Sequence, residues 1–277
     1  MRLLGTLAKD ISEDLEAILV DDASTDGTFE KVKSAFPEVQ IVRTNNEVFL
    51  AEARNLGARC AKANHVLFVD DDIVMRNNAI QTISKFLENH PTYGIAGPVI
   101  TYLWNERVIW HTGVIYTAYN LNESRYIRNH DTLDSVKRTG SLDCSYVPGA
   151  FMMAKETFRQ LRGFDSENFP FSYEDLDISL RVKNAGLRVA CVLPALALHD
   201  IDEPHTIRSI GSVRAFHHGR SRTRFYIKYC RWKLLWLPIY FSGFIVKQVP
   251  NGGTGFRKFA HVVASYLEGV VCGLAQK

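Results

Sequence analysis

An α/β fold built on a mainly parallel sheet is predicted by three observations on this sequence. Short apolar runs alternate with segments whose apolar residues recur near i, i+3 and i+4. Two of those runs, "EAILVDD" at 16–22 and "HVLFVDDD" at 65–72, end on clustered carboxylates. The 277 residues are 46% hydrophobic and 23% charged, enough to bury a large core. Strands that alternate with helices need right-handed crossovers, which make parallel ladders and gather ligands beyond the carboxyl ends of the strands. Both carboxylate clusters fall at that edge.

Taken in order, "EAILVDD" reads as a buried strand, and "ASTDGTFEKVKSAF" as a turn with Ser24 or Thr25 capping a helix. "VQIVRT" is a second strand, "LAEARNLGARCAKA" a helix and "HVLFVDDD" a third strand. A further helix covers 78–89, and "YGIAGPVI" is another strand. Residues 101–140 are aromatic, without a periodicity that assigns an element. Tyr173-Glu174-Asp175 opens a helix that runs through Lys183 and stops at Gly186, and "RVACVL" is a strand leading to His199. Arg181 is placed to pair with Asp177 one turn earlier.

The five cysteines are scattered and never form a C-x-x-C pair, which argues for a reducing compartment and against a zinc site. No basic, apolar, small-residue leader opens the chain, so secretion is not expected. The net charge of +3 hides an asymmetry: residues 204–267 hold eleven Lys and Arg and no Asp or Glu, while the rest carries 22 basic against 30 acidic groups. The expected organisation is a body over 1–203 with a basic, aromatic, helical segment over 204–277. Within that segment "WKLLWLPIYFSGFIV" is shorter than the ~20 residues that span a bilayer, and its aromatic belt suits a membrane surface.

Asp70, Asp71 and Asp72 are the most telling residues. Three adjacent carboxylates repel one another, so they persist where a cation or water neutralises them. Asp21 and Asp22 taken alone are more often a solvated turn or helix cap than a binding pair. Glu174 and Asp175 could simply favour the positive end of their helix, an effect of about 0.3 to 1 kcal/mol.

At "ILVDDASTDGT", "NNEVFLAEARNLGARCAKANHVLFVDDDI", "VPGAFMMAKETFRQLRGFD", "YEDLDISLRVKNAG" and "HHGRSRTRFYIKY", the chain resembles family 2 glycosyltransferases of the GT-A fold, near the rhamnosyltransferase-like branch. The motifs cover roughly residues 16 to 230, and their order and spacing carry more weight than any one of them. The resemblance implies that Asp22, with Asp21 behind it, reads the nucleotide base, and that Arg54 and Asn55 lie near the diphosphate. It implies that Asp70 to Asp72 form a DxD-type motif: Asp72 for a Mn²⁺ or Mg²⁺ ion, Asp70 or Asp71 for the ribose or sugar. Asp70 and His199 are further metal candidates. Asp175 resembles the general base, with Glu174 beside it.

The activity implied is inverting, metal-dependent transfer of a sugar from a nucleotide-diphospho-sugar to a glycan or lipid-linked acceptor. A peripheral place on the cytoplasmic face of the membrane goes with it. Two departures from the family pattern stand out. The chain opens "MRLLGTLAKDISEDLEAILVDD", so the family's first strand and its base-contacting loop are expected to be missing, and Val48 stands where relatives often have Gly. "KYCRW" puts Lys228 where processive synthases carry Gln, which disfavours a processive polymerase. The rivals are a non-catalytic sugar-nucleotide or membrane-binding protein with a GT-A-like fold, and a nucleotidyltransferase, which would need a Gly-rich, Lys-containing phosphate loop not found near the start. Nucleic acid is not an expected partner, because the carboxylate-rich body would repel its phosphates.

Overall fold

The computed structural model describes residues 2–7, 15–117, 124–201, 211–236, 238–239 and 256–275. Helix α1 (Arg2–Leu7) is followed by β1 (Ile18–Asp21), α2 (Thr28–Ala35), β2 (Gln40–Arg43), α3 (Phe49–Cys60), β3 (His65–Val69) and β4 (Ile73–Met75). Then come α4 (Ala79–Asn89), β5 (Tyr93–Tyr102), β6 (Asn105–His111), β7 (Val114–Tyr116), β8 (Ser124–Tyr126) and β9 (Ser141–Asp143). The chain continues through β10 (Ala150–Ala154), α5 (Lys155–Gln160), α6 (Glu174–Asn184), β11 (Arg188–His199), α7 (Ser212–Tyr229) and α8 (Phe256–Ala275).

The α/β class holds, and helices flank the sheet. Strands β1 and β2 form a parallel pair, and seven strands form the larger sheet, in the order β3, β10, β5, β11, β4, with β6 beside β5 and β9 beside β11. Crossovers produce the parallel ladders β1–β2 and β5–β11. Strands that return through tighter connections, including β10 between β3 and β5, pair antiparallel. Among the described residues no ladder joins β1 to β3. Leu4 of α1 packs with Val32 and Val39, and Leu7 packs on the cluster around Ile73 and Ile83.

The core lies on both faces of the seven-stranded sheet. On one face Phe68, Phe151, Phe158 and Phe164 meet with ring centroids 5.0–6.3 Å apart. On the other, α4 presents Ala79, Ile80, Ile83 and Leu87, a spacing that keeps one helical face buried. The start of α2 differs from expectation. Ser24 and Thr25 do not cap it; the Asp26 carboxylate accepts from the Thr28 amide at 3.0 Å and hydroxyl at 2.6 Å. Residues 101–140 are not irregular either: they supply β6, β7 and β8, short antiparallel strands whose pairing lies outside any local period.

The ladders fix the carboxylate turn after β3. Ala150 pairs with Val69, which sets Gly149 against the turn, and the Asp70 amide donates to the Gly149 carbonyl at 2.8 Å. The Ile73 amide donates to the Asp70 carbonyl at 3.0 Å, and the Asp200 amide to the Asp72 carbonyl at 2.7 Å. The turn is thereby held between the start of β10 and the end of β11.

Part of the basic segment lies against the body. Lys228 donates to Asp177 at 2.8 Å and Asp165 at 3.0 Å, and the Tyr229 hydroxyl donates to Asp177 at 2.7 Å. Arg220 donates to the Glu167 carbonyl and Arg224 to Asn168, while Lys233 is buried. Helix α7 touches α8 closely, because a Cβ on Gly269 would come within 2.0 Å of the Phe216 carbonyl oxygen. Among the described residues no helix is long and apolar enough to cross a membrane. Residues 202–210, most of the stretch from 237 to 246, and 247–255 lie outside the described residues, so the expected membrane-surface segment is covered only in part.

Candidate active site

The three consecutive aspartates meet three different surroundings. Asp70 Oδ1 accepts from Arg54 Nη2 at 2.5 Å, Asp71 is exposed, and Asp72 Oδ2 lies 3.3 Å from His199 Nε2. The repulsion expected of the triplet is thus relieved on one side by a guanidinium, while on the other Asp72 neighbours an imidazole. Burial pushes the Asp70 carboxyl up to about 6, against the pull of Arg54.

Arg54 on α3 is the hub. Its side chain is buried, and Nη1 reaches Asp175 Oδ1 at 2.5 Å and Glu174 Oε1 at 3.5 Å while Nη2 holds Asp70. Burial alone would lower its pKa; the charges of Asp175, Asp70 and Glu174 outweigh that and hold it above the ordinary value. Burial, and then the charge of Asp175, pushes the Glu174 carboxyl up to about 8, so it is largely protonated at neutral pH. Helix α6 begins after two residues in left-handed backbone, Ser172 at φ 68° and Tyr173 at φ 69°. Such strain persists where the surroundings fix it, and here it aims Glu174 and Asp175 at the hub. The remaining Asp175 oxygen, Oδ2, has one long contact, 3.4 Å to the Gly149 amide.

The other predicted residues sit apart from this hub. Asp22 anchors the loop before α3: Oδ1 accepts from the Val48 amide at 2.8 Å and the Thr44 hydroxyl at 3.0 Å, and Oδ2 from the Phe49 amide at 2.9 Å. These bonds hold Phe49 at φ 65°. Asp21 is buried; it accepts from the Ser24 amide at 3.1 Å and faces Arg43 Nε at 3.3 Å. A cavity of about 460 Å³ opens beside them, lined by Ala23, Ser24, Thr25, Arg43, Thr44 and Asn45. Asn55 turns away from it. Its amide exchanges bonds with the backbone of Phe164, 2.8 Å to the amide and 3.0 Å to the carbonyl.

Among the described residues no three His, Cys, Asp or Glu side chains converge into a ready-made metal cage. The Asp72–His199 pair still fits a divalent cation that takes its remaining ligands from substrate. One carboxylate and one imidazole suit Mn²⁺, and such ions are commonly held by one or two carboxylates with substrate phosphates. The buried His199 Nδ1 has no hydrogen-bond partner, and Nε2 faces the Asp72 carboxylate.

Sequence reasoning missed the aromatic side chains beside the site. The Trp110 ring lies 4.0 Å from His199, 4.8 Å from His111 and 5.8 Å from Tyr126, centroid to centroid. His111 is buried and accepts from the Gly113 amide at 3.0 Å; burial and His199 push its pKa down to about 3, so it is neutral. The aromatic density of residues 101–140 was the one available signal.

A model of a family described as glycosyl transferase family 2 matches residues 2–161. An uncharacterized glycosyltransferase of Haemophilus influenzae is 33% identical over 89 residues, which cover 32% of this chain and 30% of the relative. The dTDP-rhamnosyl transferase RfbF of Shigella flexneri is 23% identical over 206 residues, 73% of this chain and 66% of the relative. The first relatives matched are covered over about a third of their own length. Among solved structures, the mannosyltransferase PcManGT of Pyrobaculum calidifontis, in complex with GDP-Man and Mn²⁺, aligns over 99% of this chain and 68% of its own. The TM-score is 0.55 at 16% identity, a likeness of fold.

Proposed function

Because the chain belongs to glycosyl transferase family 2, we propose that it moves one sugar from a nucleotide-diphospho-sugar to a hydroxyl of a glycan or lipid-linked acceptor, with inversion at C1. The observation that carries this reading is the single guanidinium of Arg54 joining Asp70 to Asp175, with Asp72 and His199 on the other side of the turn. The supporting likeness is to a structure holding GDP-Man and Mn²⁺.

Asp175 is the base in this reading. Its Oδ1 is fixed by Arg54, and Oδ2 takes the proton from the acceptor hydroxyl. The acceptor oxygen forms its bond to C1 as the bond from C1 to the diphosphate oxygen breaks, and direct displacement inverts the centre. Glu174, held protonated, lowers the negative charge packed around Arg54. Asp72 and His199 would hold Mn²⁺ or Mg²⁺, whose part is to neutralise the leaving diphosphate. The cavity beside Asp21 and Asp22 is offered as the nucleoside site, with Asp22 shaping its wall through the Val48 loop.

Residues 1–203 form the catalytic unit in this proposal, and 204–277 an appendage docked through Lys228 and Asp177. Exposed Trp232, Leu235, Trp236 and Ile239 support contact with a membrane surface on the cytoplasmic side. Equal recovery of the protein with and without anionic liposomes at low salt would remove that contact.

The test is a screen of UDP-, GDP- and dTDP-sugars for Mn²⁺-dependent thermal stabilisation, since a ligand of the folded state raises its apparent stability. Asp175→Asn should keep the stabilisation and lose transfer by roughly 10²-fold or more. No stabilisation by any donor would sink the reading, and near-normal turnover in the variant would sink the role of Asp175.

A further inference from the structure

We infer that Trp110 and Tyr126 form the wall of an acceptor subsite that takes a neutral sugar ring, stacked by its C–H face, with the reacting hydroxyl directed at Asp175 Oδ2. The inference rests on the transferase reading and adds the chemical class of the acceptor's reacting unit.

Position is the first argument. A Cβ built on Gly149 would lie 3.6 Å from Trp110 Cζ3, and the amide of the same glycine lies 3.4 Å from Asp175 Oδ2. The indole and the less occupied oxygen of Asp175 are thus both neighbours of Gly149, while the other oxygen of Asp175 faces Arg54. Gly149 has φ +75°, so a side chain there would be strained, and a Cβ would also touch Ile73 at 3.5 Å.

Burial is the second. The core aromatics Phe151 and Phe169 are fully buried, whereas Trp110 and Tyr126 are each only half-buried although they stand beside fully buried His111. Trp110 is braced by His199 at 4.0 Å and Tyr126 at 5.8 Å, and it packs on the cluster of Ile73 and Ala150. A braced, half-open indole next to a carboxylate is suited to a ligand with one apolar face and a polar rim. A sugar ring has that shape. Burial, then the nearby Asp175, raises the pKa of the Tyr126 phenol, so its O–H remains available as a donor to a ring substituent.

Charge is the third. Asp72 faces the same His199 that lies against Trp110, Asp175 adjoins Gly149, and Arg54 is already shared between Asp70 and Asp175, so an anionic reacting group is disfavoured. The neutral hydroxyl of a sugar meets no such cost.

Saturation-transfer NMR with a panel of methyl glycosides, run with diamagnetic Mg²⁺ and UDP, GDP or dTDP, tests the inference. At least one glycoside should receive saturation on the protons of one ring face. The effect should fall roughly tenfold in Trp110→Leu, which keeps an apolar side chain but removes the π face, and stay within about threefold in Trp110→Phe. Urea unfolding of both variants reports whether they fold. Equal saturation in folded Trp110→Leu and wild type overturns the inference, as does the absence of any glycoside signal while a nucleotide binds. Glycoside binding that depends on Trp110, without binding of any nucleotide, would instead preserve the subsite and refute the transferase reading.

Discussion

Arg54 Nη1 lies 2.5 Å from Asp175 Oδ1, although the two residues stand 121 positions apart in the chain. The same guanidinium holds Asp70 at 2.5 Å, so α3, the turn after β3 and the start of α6 share one buried cation. Its first role is to position carboxylates, and contact with a diphosphate would have to compete with them. Arg54→Ala leaves those carboxylates without their cation, which should cost about 3–5 kcal/mol in urea unfolding at pH 8. The loss should shrink at pH 5, where Glu174 and Asp70 are protonated without it. Arg54→Lys should fall between, since an ammonium cannot span two carboxylates as a planar fork does. A stability change below about 1 kcal/mol in the alanine variant at pH 8 would show that the bridge does not hold these elements together.

Glu174 sets a pH dependence whose sign follows from its raised pKa. In the unfolded chain it ionises above about 4.3, whereas burial keeps it protonated in the folded protein up to about 8. Between those values the folded state holds the extra proton, so stability is full at the acid end and declines as pH rises. The slope from one such group approaches about 1.4 kcal/mol per pH unit. Glu174→Gln should remove that slope and be more stable than the wild type at pH 8. Asp70, raised to about 6, leaves a residual slope at lower pH in both proteins. Parallel stability curves from pH 5 to 8 would show that Glu174 is ionised when folded.

Much of this fold could be read because local pattern and tertiary role coincide in it. β1 and β3 are apolar runs that stop at aspartates; α6 starts at Glu174 and β11 ends at His199, near where pattern placed them. What escaped depends on pairing at a distance. β7 and β8 are three residues each, and the β5–β6 ladder shifts register twice, so neither leaves a sustained alternation to find. Trp110 consequently carried no signal beyond its type. Motif resemblance grouped Asp70, Asp72, Glu174, Asp175 and His199, which lie around Arg54 and the turn after β3, yet it could not say that Arg54 faces carboxylates or that Asn55 clasps the Phe164 backbone. Those are matters of which neighbour each side chain finds once the helix has docked.

Asp22 offers a separation between shaping a loop and reading a base. Its two oxygens accept three bonds from Thr44, Val48 and Phe49, so Asp22→Asn sets an amide N–H against a backbone N–H. The expected loss is about 1–3 kcal/mol of stability before any nucleotide is added. Thermal unfolding without ligand measures it. An unchanged melting temperature together with weakened nucleotide binding would assign Asp22 to the base and not to the loop.

Asp70 and Asp72 should part company in metal binding, because one faces Arg54 and the other His199. Both are carboxylates of one motif, and sequence alone leaves either free to be the ligand. In the folded protein the Asp70 oxygen nearest the hub is committed to a guanidinium 2.5 Å away, and withdrawing it would leave Arg54 with Asp175 as its one closely paired carboxylate. Asp72 surrenders only a 3.3 Å contact to an imidazole that can itself join the ion. Asp72→Ala and His199→Ala should each weaken Mn²⁺ binding by about tenfold or more, read by electron paramagnetic resonance of free Mn²⁺ in the presence of UDP, GDP or dTDP. Asp70→Asn should change that affinity little while lowering stability, since it disturbs the Arg54 bridge and spares the cation. If Asp70→Asn loses Mn²⁺ as severely as Asp72→Ala, the ion draws Asp70 away from Arg54, and the bridge seen here must open before donor can bind.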